Sequence, residues 1–168
     1  MTDLTHAMIS SPLGPLHLAA TAEGLVHMLF ELQVHTPPPT VPAGSHPILA
    51  HAARELEAYF AGSAAPFTVP LAPRGTDFQC AVWRALMAIP FGERRSYGDV
   101  ARALDKAGAE RAVGNANGKN RIGIIVPCHR VIGANGALTG YAAGLDKKQW
   151  LLAHEHRVSP TDLFRGPS

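Results

Sequence analysis

The run Ile122-Gly123-Ile124-Ile125-Val126, cut off by Pro127 and followed at once by Cys128-His129-Arg130, constrains this chain more than any other stretch. It is too short to span a bilayer and rich in β-branched side chains, so it reads as a buried strand rather than a helix. Pro127 has a fixed φ and no amide donor, so the strand stops there and the next residues sit at a corner. A thiol, an imidazole and a guanidinium then follow in succession. A thiol reacts as thiolate, and from a free pKa of ~8.5 its ionisation at neutral pH needs roughly 2 kcal/mol of help. A neighbouring imidazole and guanidinium are expected to push in that direction. By itself a Cys-His pair is more often packing than chemistry, because free cysteines behave as small buried hydrophobes.

The rest of the chain sets the frame for that corner. At 168 residues, with 46% hydrophobic and 17% charged side chains, the composition is globular and sufficient for one or two cores. No apolar run is long enough for a membrane span, and Met1 to His6 lack the features of a signal peptide. With two cysteines, Cys80 and Cys128, a disulfide framework is not expected and a reducing cytoplasm is. Six of the nine histidines fall between His6 and His51 without metal-type clustering, and no Cys-x-x-Cys occurs, so no metal or cofactor is expected. Charge is divided unevenly. Residues 1–91 hold three Lys/Arg against six Asp/Glu, and residues 92–168 hold twelve against seven, so the half with Cys128 suits a polyanion.

Taken in order, Ala7 to Leu32 alternates short apolar runs with turn signals and reads as an antiparallel meander. His35 to Pro47 carries five prolines and reads as a surface loop. Pro47 opens a helix with Leu49, Ala52, Leu56 and Tyr59 or Phe60 at helical spacing, ended by Gly62. Phe67 to Leu71 suggests another short strand, and residues 1–70 offer support rather than catalysis. Thr76 and Gln79 form a capping box for a helix faced by Phe78, Val82, Ala85, Leu86 and Ile89, with Cys80 as a packing residue. Ser96 to Leu104, a turn at Asp105 to Gly108, and a second helix from Ala109 have the layout of a helix-turn-helix. That second helix is built from small and amide side chains, which suit close approach to a groove. Val131 to Leu138 reads as a hairpin around Asn135-Gly136. Thr139 to Gly144 is a loop around Tyr141, Asp146 to His156 a final helix, and the tail from Ser159 loosely ordered. The fold expected is mixed α/β (α+β): a small antiparallel-sheet domain with a helix, residues 1–72, followed by a mainly helical domain, 73–168.

The segment Ile125-Val126-Pro127-Cys128-His129-Arg130-Val131-Ile132-Gly133 resembles the signature of the O6-alkylguanine-DNA alkyltransferases, the methylated-DNA–protein-cysteine methyltransferases. The resemblance runs from Gly75-Thr76-Asp77-Phe78-Gln79 through Ile89-Pro90-Phe91-Gly92-Glu93, Ser96-Tyr97-Gly98 and Arg111-Ala112-Val113-Gly114-Asn115-Ala116-Asn117-Gly118. It ends near Leu151-Leu152-Ala153-His154-Glu155 and covers roughly the C-terminal half. It implies direct DNA repair without a cofactor, in which Cys128 takes the alkyl group of O6-alkylguanine, or of O4-alkylthymine, once and irreversibly. It implies His129 as the base that activates Cys128 through a water, Glu155 orienting His129, Tyr97 donating to the base ring and Asn120 bracing the cysteine loop. Val131, Tyr141 and Ala142 are implied in the base pocket. Arg111 is implied as the finger filling the vacated stack, with Ala112, Gly114, Asn115 and Tyr97 against duplex DNA. A stacked guanine is out of reach of a buried thiol, so the nucleotide must flip out. Lys119, Arg121 and Arg130 remain as charge partners or phosphate contacts. Two departures stand out: Arg121 where the family usually has proline after the asparagine, and Ala142-Ala143-Gly144 where the loop usually reads x-Gly-Gly.

The partner implied is double-stranded DNA bound by a monomer, with cooperative binding along DNA left open, and no membrane. A lesion-binding protein without transfer activity is the alternative, and Cys128 argues against it. A cysteine hydrolase or a helix-turn-helix regulator would explain fewer of these residues.

Overall fold

A computed structural model describes residues 3–159 of the chain. The first elements are the expected meander: β1 (Thr5–Ile9), β2 (Leu16–Ala20) and β3 (Leu25–Phe30) form one antiparallel sheet in that order. The first turn closes because Gly14, at φ 90°, donates its amide to Ser11 O at 3.0 Å. Both Leu18 and Leu16 of β2 and Leu25, Met28 and Phe30 of β3 are buried. Helix α1 (Pro47–Phe60) begins with its proline in the first turn, where a missing amide costs nothing. His46 caps it by accepting from Ile48 N at 3.2 Å. Its buried stripe is Leu49, Ala52, Leu56 and Tyr59.

Two expected strands do not form. Phe67 to Leu71 contributes one bridge, Leu71 beside Leu25, and Ile122 to Val126 contributes one, Ile122 beside Met28. Both lie along the open edge of β3, so each supplies only the bonds that edge can accept. Leu25 N donates to Pro70 O at 2.8 Å, Met28 N to Arg121 O at 2.9 Å, and Gly123 N to Met28 O at 3.0 Å. After Ile122 the chain coils tightly instead of extending: Val126 N reaches back to Ile122 O at 3.0 Å. This bend puts Ile124 at φ 68°, a costly conformation for a β-branched residue, accepted because its side chain is fully buried. Gly123 packs closely on β3: a Cβ there would stand 2.9 Å from Met28 Cε, so the end of that side chain would have to shift.

Helix α2 (Asp77–Met87) starts at the Thr76–Gln79 capping box, with Gln79 N to Thr76 Oγ1 at 3.1 Å and Thr76 N to Gln79 Oε1 at 2.9 Å. After β4 (Arg95–Ser96) come α3 (Tyr97–Ala103), capped by Ser96, and α4 (Glu110–Gly118). Trp83 of α2 fastens α4 by donating from Nε1 to Ala116 O at 2.9 Å. Asn135-Gly136 does turn the chain, with Gly133 N to Ala137 O at 2.9 Å, yet no hairpin follows. Strand β5 (Val131–Ile132) pairs in parallel with β4 instead, and Val131 O is taken by Lys148 Nζ at 2.6 Å. Helix α5 (Leu145–Val158) closes the described chain, and residues 160–168, most of the tail assigned no order above, lie outside it. The buried apolar residues of both halves form one cluster that joins Met28, Phe30 and Tyr59 to Ile122, Ile125 and Cys128.

Candidate active site

Cys128-His129-Arg130 is a single turn of 3-10 helix rather than extended chain. Successive side chains therefore diverge by about 120° instead of alternating between opposite faces. Each of the three finds a different environment, and all are buried. The Cys128 sulfur accepts a hydrogen bond from Asn120 Nδ2 at 3.2 Å. The same amide donates to Val126 O at 2.9 Å, while Asn120 Oδ1 accepts from Ile122 N at 2.9 Å, so one side chain both shapes the loop and addresses the sulfur. From α4, Asn117 Nδ2 donates to Cys128 O at 3.4 Å.

His129 has no exposed surface, and its Nε2 lies 2.6 Å from Glu155 Oε2. A carboxylate only accepts, so Nε2 carries the proton and Nδ1, which has no partner among the described residues, holds the free lone pair of the neutral ring. Burial lowers the His129 pKa, against the opposing hydrogen bond and charge of Glu155, with Arg130 and Lys148 lowering it further. Glu155 gathers donors from several directions. Arg130 contributes Nε to Oε1 at 2.8 Å and Nη2 to Oε2 at 3.0 Å, Gly92 its amide at 3.1 Å, and Tyr59 its hydroxyl at 2.8 Å. Burial alone would raise this carboxyl, but His129 and Arg130, by hydrogen bond and by charge, hold it far below the ordinary carboxylate range.

These contacts revise the expectation for the sulfur. Of the roles open to the Arg130 guanidinium (thiol activation, charge partner or phosphate contact), the structure shows charge partner: it is committed to Glu155 and to Ile89 O at 2.7 Å. Burial raises the Cys128 thiol above its ordinary value, and what pulls it back is the Asn120 hydrogen bond followed by the charge of Lys148. Burial thus favours the protonated thiol over the thiolate. Lys148 is fully buried on α5, with Nζ donating to Val131 O at 2.6 Å and Thr139 O at 2.7 Å. The Tyr141 hydroxyl also faces the sulfur closely enough to favour thiolate, without reaching hydrogen-bond geometry.

Cys128 opens into a cavity of about 340 Å³, large enough for a small planar ligand. Of the residues singled out in the sequence, Tyr97, Gly114, Asn120, Cys128, Tyr141 and Ala142 line it. Val131 is not among the lining residues; its side chain is wholly buried. Tyr97 stands at the start of α3, its hydroxyl 3.1 Å from Thr139 Oγ1 and its ring beside Gly114 of α4, where a Cβ would meet it in ordinary contact at 3.6 Å. Arg111, Ala112 and Asn115 lie on the exposed face of α4, apart from the buried relay. Phe30 and Gln33 of the N-terminal half also line the cavity, and Phe30 meets Tyr141 edge-on at 6.3 Å. Sequence reasoning missed Lys148, Tyr59, Phe30 and Gln33. For Lys148 a signal existed, since Lys148, Leu151, Leu152 and Glu155 recur on one helical face. Among the described residues no group of His, Cys, Asp or Glu is placed to hold a metal ion.

A family model described as the DNA-binding domain of 6-O-methylguanine DNA methyltransferase matches residues 77–157, and one for its ribonuclease-like domain matches residues 4–73. The chain belongs to the 6-O-methylguanine DNA methyltransferase family. The methylated-DNA–protein-cysteine methyltransferase of Methanosarcina acetivorans is 50% identical over 153 residues, covering 89% of this chain and 97% of the relative. That of Mycobacterium tuberculosis is 49% identical over 155 residues, covering 92% and 94%. The crystal structure of Mycobacterium tuberculosis O6-methylguanine methyltransferase matches with a TM-score of 0.85 at 45% identity, covering 98% of this chain and 100% of that one. Mycobacterium tuberculosis OGT in complex with DNA matches with a TM-score of 0.84 at 47% identity, covering 95% and 97%.

Both departures from the usual methyltransferase pattern are accommodated. The turn at 120–122 is fixed by the Arg121 carbonyl and the Ile122 amide, and both groups are present whether residue 121 is proline or arginine, so neither bond depends on a proline there. In the Tyr141 loop the positive-φ backbone falls on Gly140 and Gly144, at φ 40° and 110°, and not on Ala143.

Proposed function

We propose that this protein repairs O6-alkylguanine in duplex DNA by moving the alkyl group irreversibly onto Cys128. The observation that carries this is a single one. The Cys128 sulfur lies in the cavity wall, touched by an amide donor, with a Glu155–His129 pair in the adjoining residue of the same turn. When the base enters, the thiol proton passes through a bridging water to His129 Nδ1. The imidazolium formed is stabilised by Glu155, and the thiolate by Asn120 and the Lys148 cation. The sulfur then attacks the alkyl carbon: a sulfur–carbon bond forms, the carbon–O6 bond breaks, and its electron pair returns to the base. Tyr97, at the cavity mouth, donates the hydrogen bond that stabilises the departing guanine anion, which is neutralised on taking up a proton from water. The product thioether is not hydrolysed under mild conditions, so each molecule acts once.

The buried sulfur requires an extruded nucleotide, at an unstacking cost of a few kcal/mol. Arg111 on the exposed face of α4 is suited to occupy the gap, with Ala112, Gly114 and Asn115 allowing the helix close to the minor groove. In this reading α3 and α4 act as the DNA-reading helix pair of a domain beginning near residue 73, and residues 1–72 form the other domain. Support for that division comes from the two family models, which end at 73 and begin at 77. All the reacting groups come from one chain, which supports action as a monomer, and two free cysteines fit a reducing cytoplasm. No helix of the described residues is long and apolar enough to cross a membrane. The test is mass spectrometry of the Cys128 peptide after incubation with duplex DNA containing O6-methylguanine. A stoichiometric gain of one methyl group is expected, and tight binding with an unmodified Cys128 would replace this reading by that of a lesion binder.

A further inference from the structure

One of the donors on Glu155 comes from the N-terminal half. Tyr59, near the end of α1, places its hydroxyl 2.8 Å from Glu155 Oε2, the same oxygen that lies 2.6 Å from His129 Nε2. Its ring is buried among Phe60, Phe67, Phe91 and His154, with centroids 5.1 to 5.9 Å away. His154 Nε2 also lies 2.8 Å from Tyr59 O, which fastens the end of α1 to α5 one residue before Glu155. Burial, then the charge of Glu155, raise the Tyr59 pKa, so the phenol acts as a permanent donor.

We propose that Tyr59 is a positioning residue for alkyl transfer: it holds Oε2 of Glu155 so that His129 keeps its proton on Nε2 and presents Nδ1 as the base. The proposal rests on Cys128 being the alkyl acceptor. With Tyr59 in place, part of the lone-pair density of Oε2 is spent on the phenol, which fixes the carboxylate plane and tempers its pull on the imidazole proton. Without the hydroxyl the carboxylate is less neutralised. It then stabilises imidazolium more strongly, His129 titrates at higher pH, and its ring is held less firmly.

The test is Tyr59→Phe, which keeps the packed ring and deletes only the hydroxyl. Single-turnover methyl transfer is followed by rapid quench with saturating duplex containing O6-methylguanine, across a pH series, beside the unmutated protein. The rate constant is expected to fall about tenfold, as for loss of one hydrogen bond to a charged group, with the pH profile displaced upward and affinity for the lesion duplex unchanged. Phe67→Leu loosens the same aromatic packing without touching the hydroxyl, and is expected to lower thermal stability while leaving the profile in place. A Tyr59→Phe rate and profile that coincide with the parent's overturn the proposal, as does an equal displacement in Phe67→Leu. Nitrogen NMR of His129 in the unmutated protein tests it without a variant: a neutral ring protonated on Nδ1 overturns it. Failure of the unmutated protein to methylate Cys128 would instead overturn the function itself, so the two failures are distinct.

Discussion

Replacing Glu155 by glutamine removes a negative charge on which five donors converge: His129 Nε2, Arg130 Nε and Nη2, Tyr59 OH and Gly92 N. An amide has one oxygen, so in either orientation its NH2 group confronts either Arg130 Nε and Gly92 or the His129 and Tyr59 donors. The Arg130 side chain is 9% exposed and would keep its charge without a counter-ion. Removing one member of a buried ion pair costs about 3–5 kcal/mol. At about 2–4 °C per kcal/mol for a chain of this size, Tm should drop by about 6–20 °C. The effect has a pH signature with a definite sign. The Glu155 carboxyl lies far below its unfolded value, so its stabilisation is fully present above about pH 5 and is lost as pH falls toward the folded pKa. Scanning calorimetry of the two proteins should therefore show a Tm gap that narrows on acidification below about pH 5. Methyl transfer should slow by about 100-fold, since His129 loses its orienting partner. A Glu155→Gln protein melting within about 2 °C of its parent, with equal acid sensitivity, would refute the buried-pair reasoning.

Three further outcomes are expected. Cys128→Ala should abolish methyl transfer and retain binding to the lesion duplex in a gel-shift titration; loss of binding by a folded variant would count against the roles assigned here. Lys148→Met should raise the thiol pKa further, so single-turnover transfer slows at neutral pH and recovers as pH rises, whereas Lys148→Arg should retain part of the effect; a pH profile unchanged in Lys148→Met would remove Lys148 from the mechanism. Arg111→Ala should reduce extrusion, read with a fluorescent base analogue beside the lesion, while leaving Cys128 reactivity toward a small alkylating agent at the parental rate.

Legibility in the sequence follows the range of the forces involved. Local signals held: the Thr76–Gln79 capping box, Pro47 in the first turn of α1 and the turn residues of the meander each need only their neighbours. The strand expected at Ile122–Val126 failed because its composition reports burial, and burial is as well met by a coil as by a strand. The same residues met an edge of β3 that could accept only Ile122 and Gly123 in register. The hairpin expected after Val131 failed because a partner far along the chain, Arg95–Ser96, competed for β5. At the site, Cys128, His129 and Glu155 were legible from a motif. Tyr59 and Phe30 were not, since they reach the site only through packing of one half on the other. Arg130 is a charge partner, one of the roles left open for it, but adjacency in sequence does not reveal that the carboxylate it faces is Glu155.

The two bonds between Met28 and the chain at Arg121 and Gly123 tie the loop that carries the nucleophile to a strand edge from the other half of the chain. Asn120, which addresses the sulfur, takes its bend from that same loop. A change on β3 that shifts the Met28 backbone would therefore reach the thiol through main chain alone, without altering any side chain that lines the cavity.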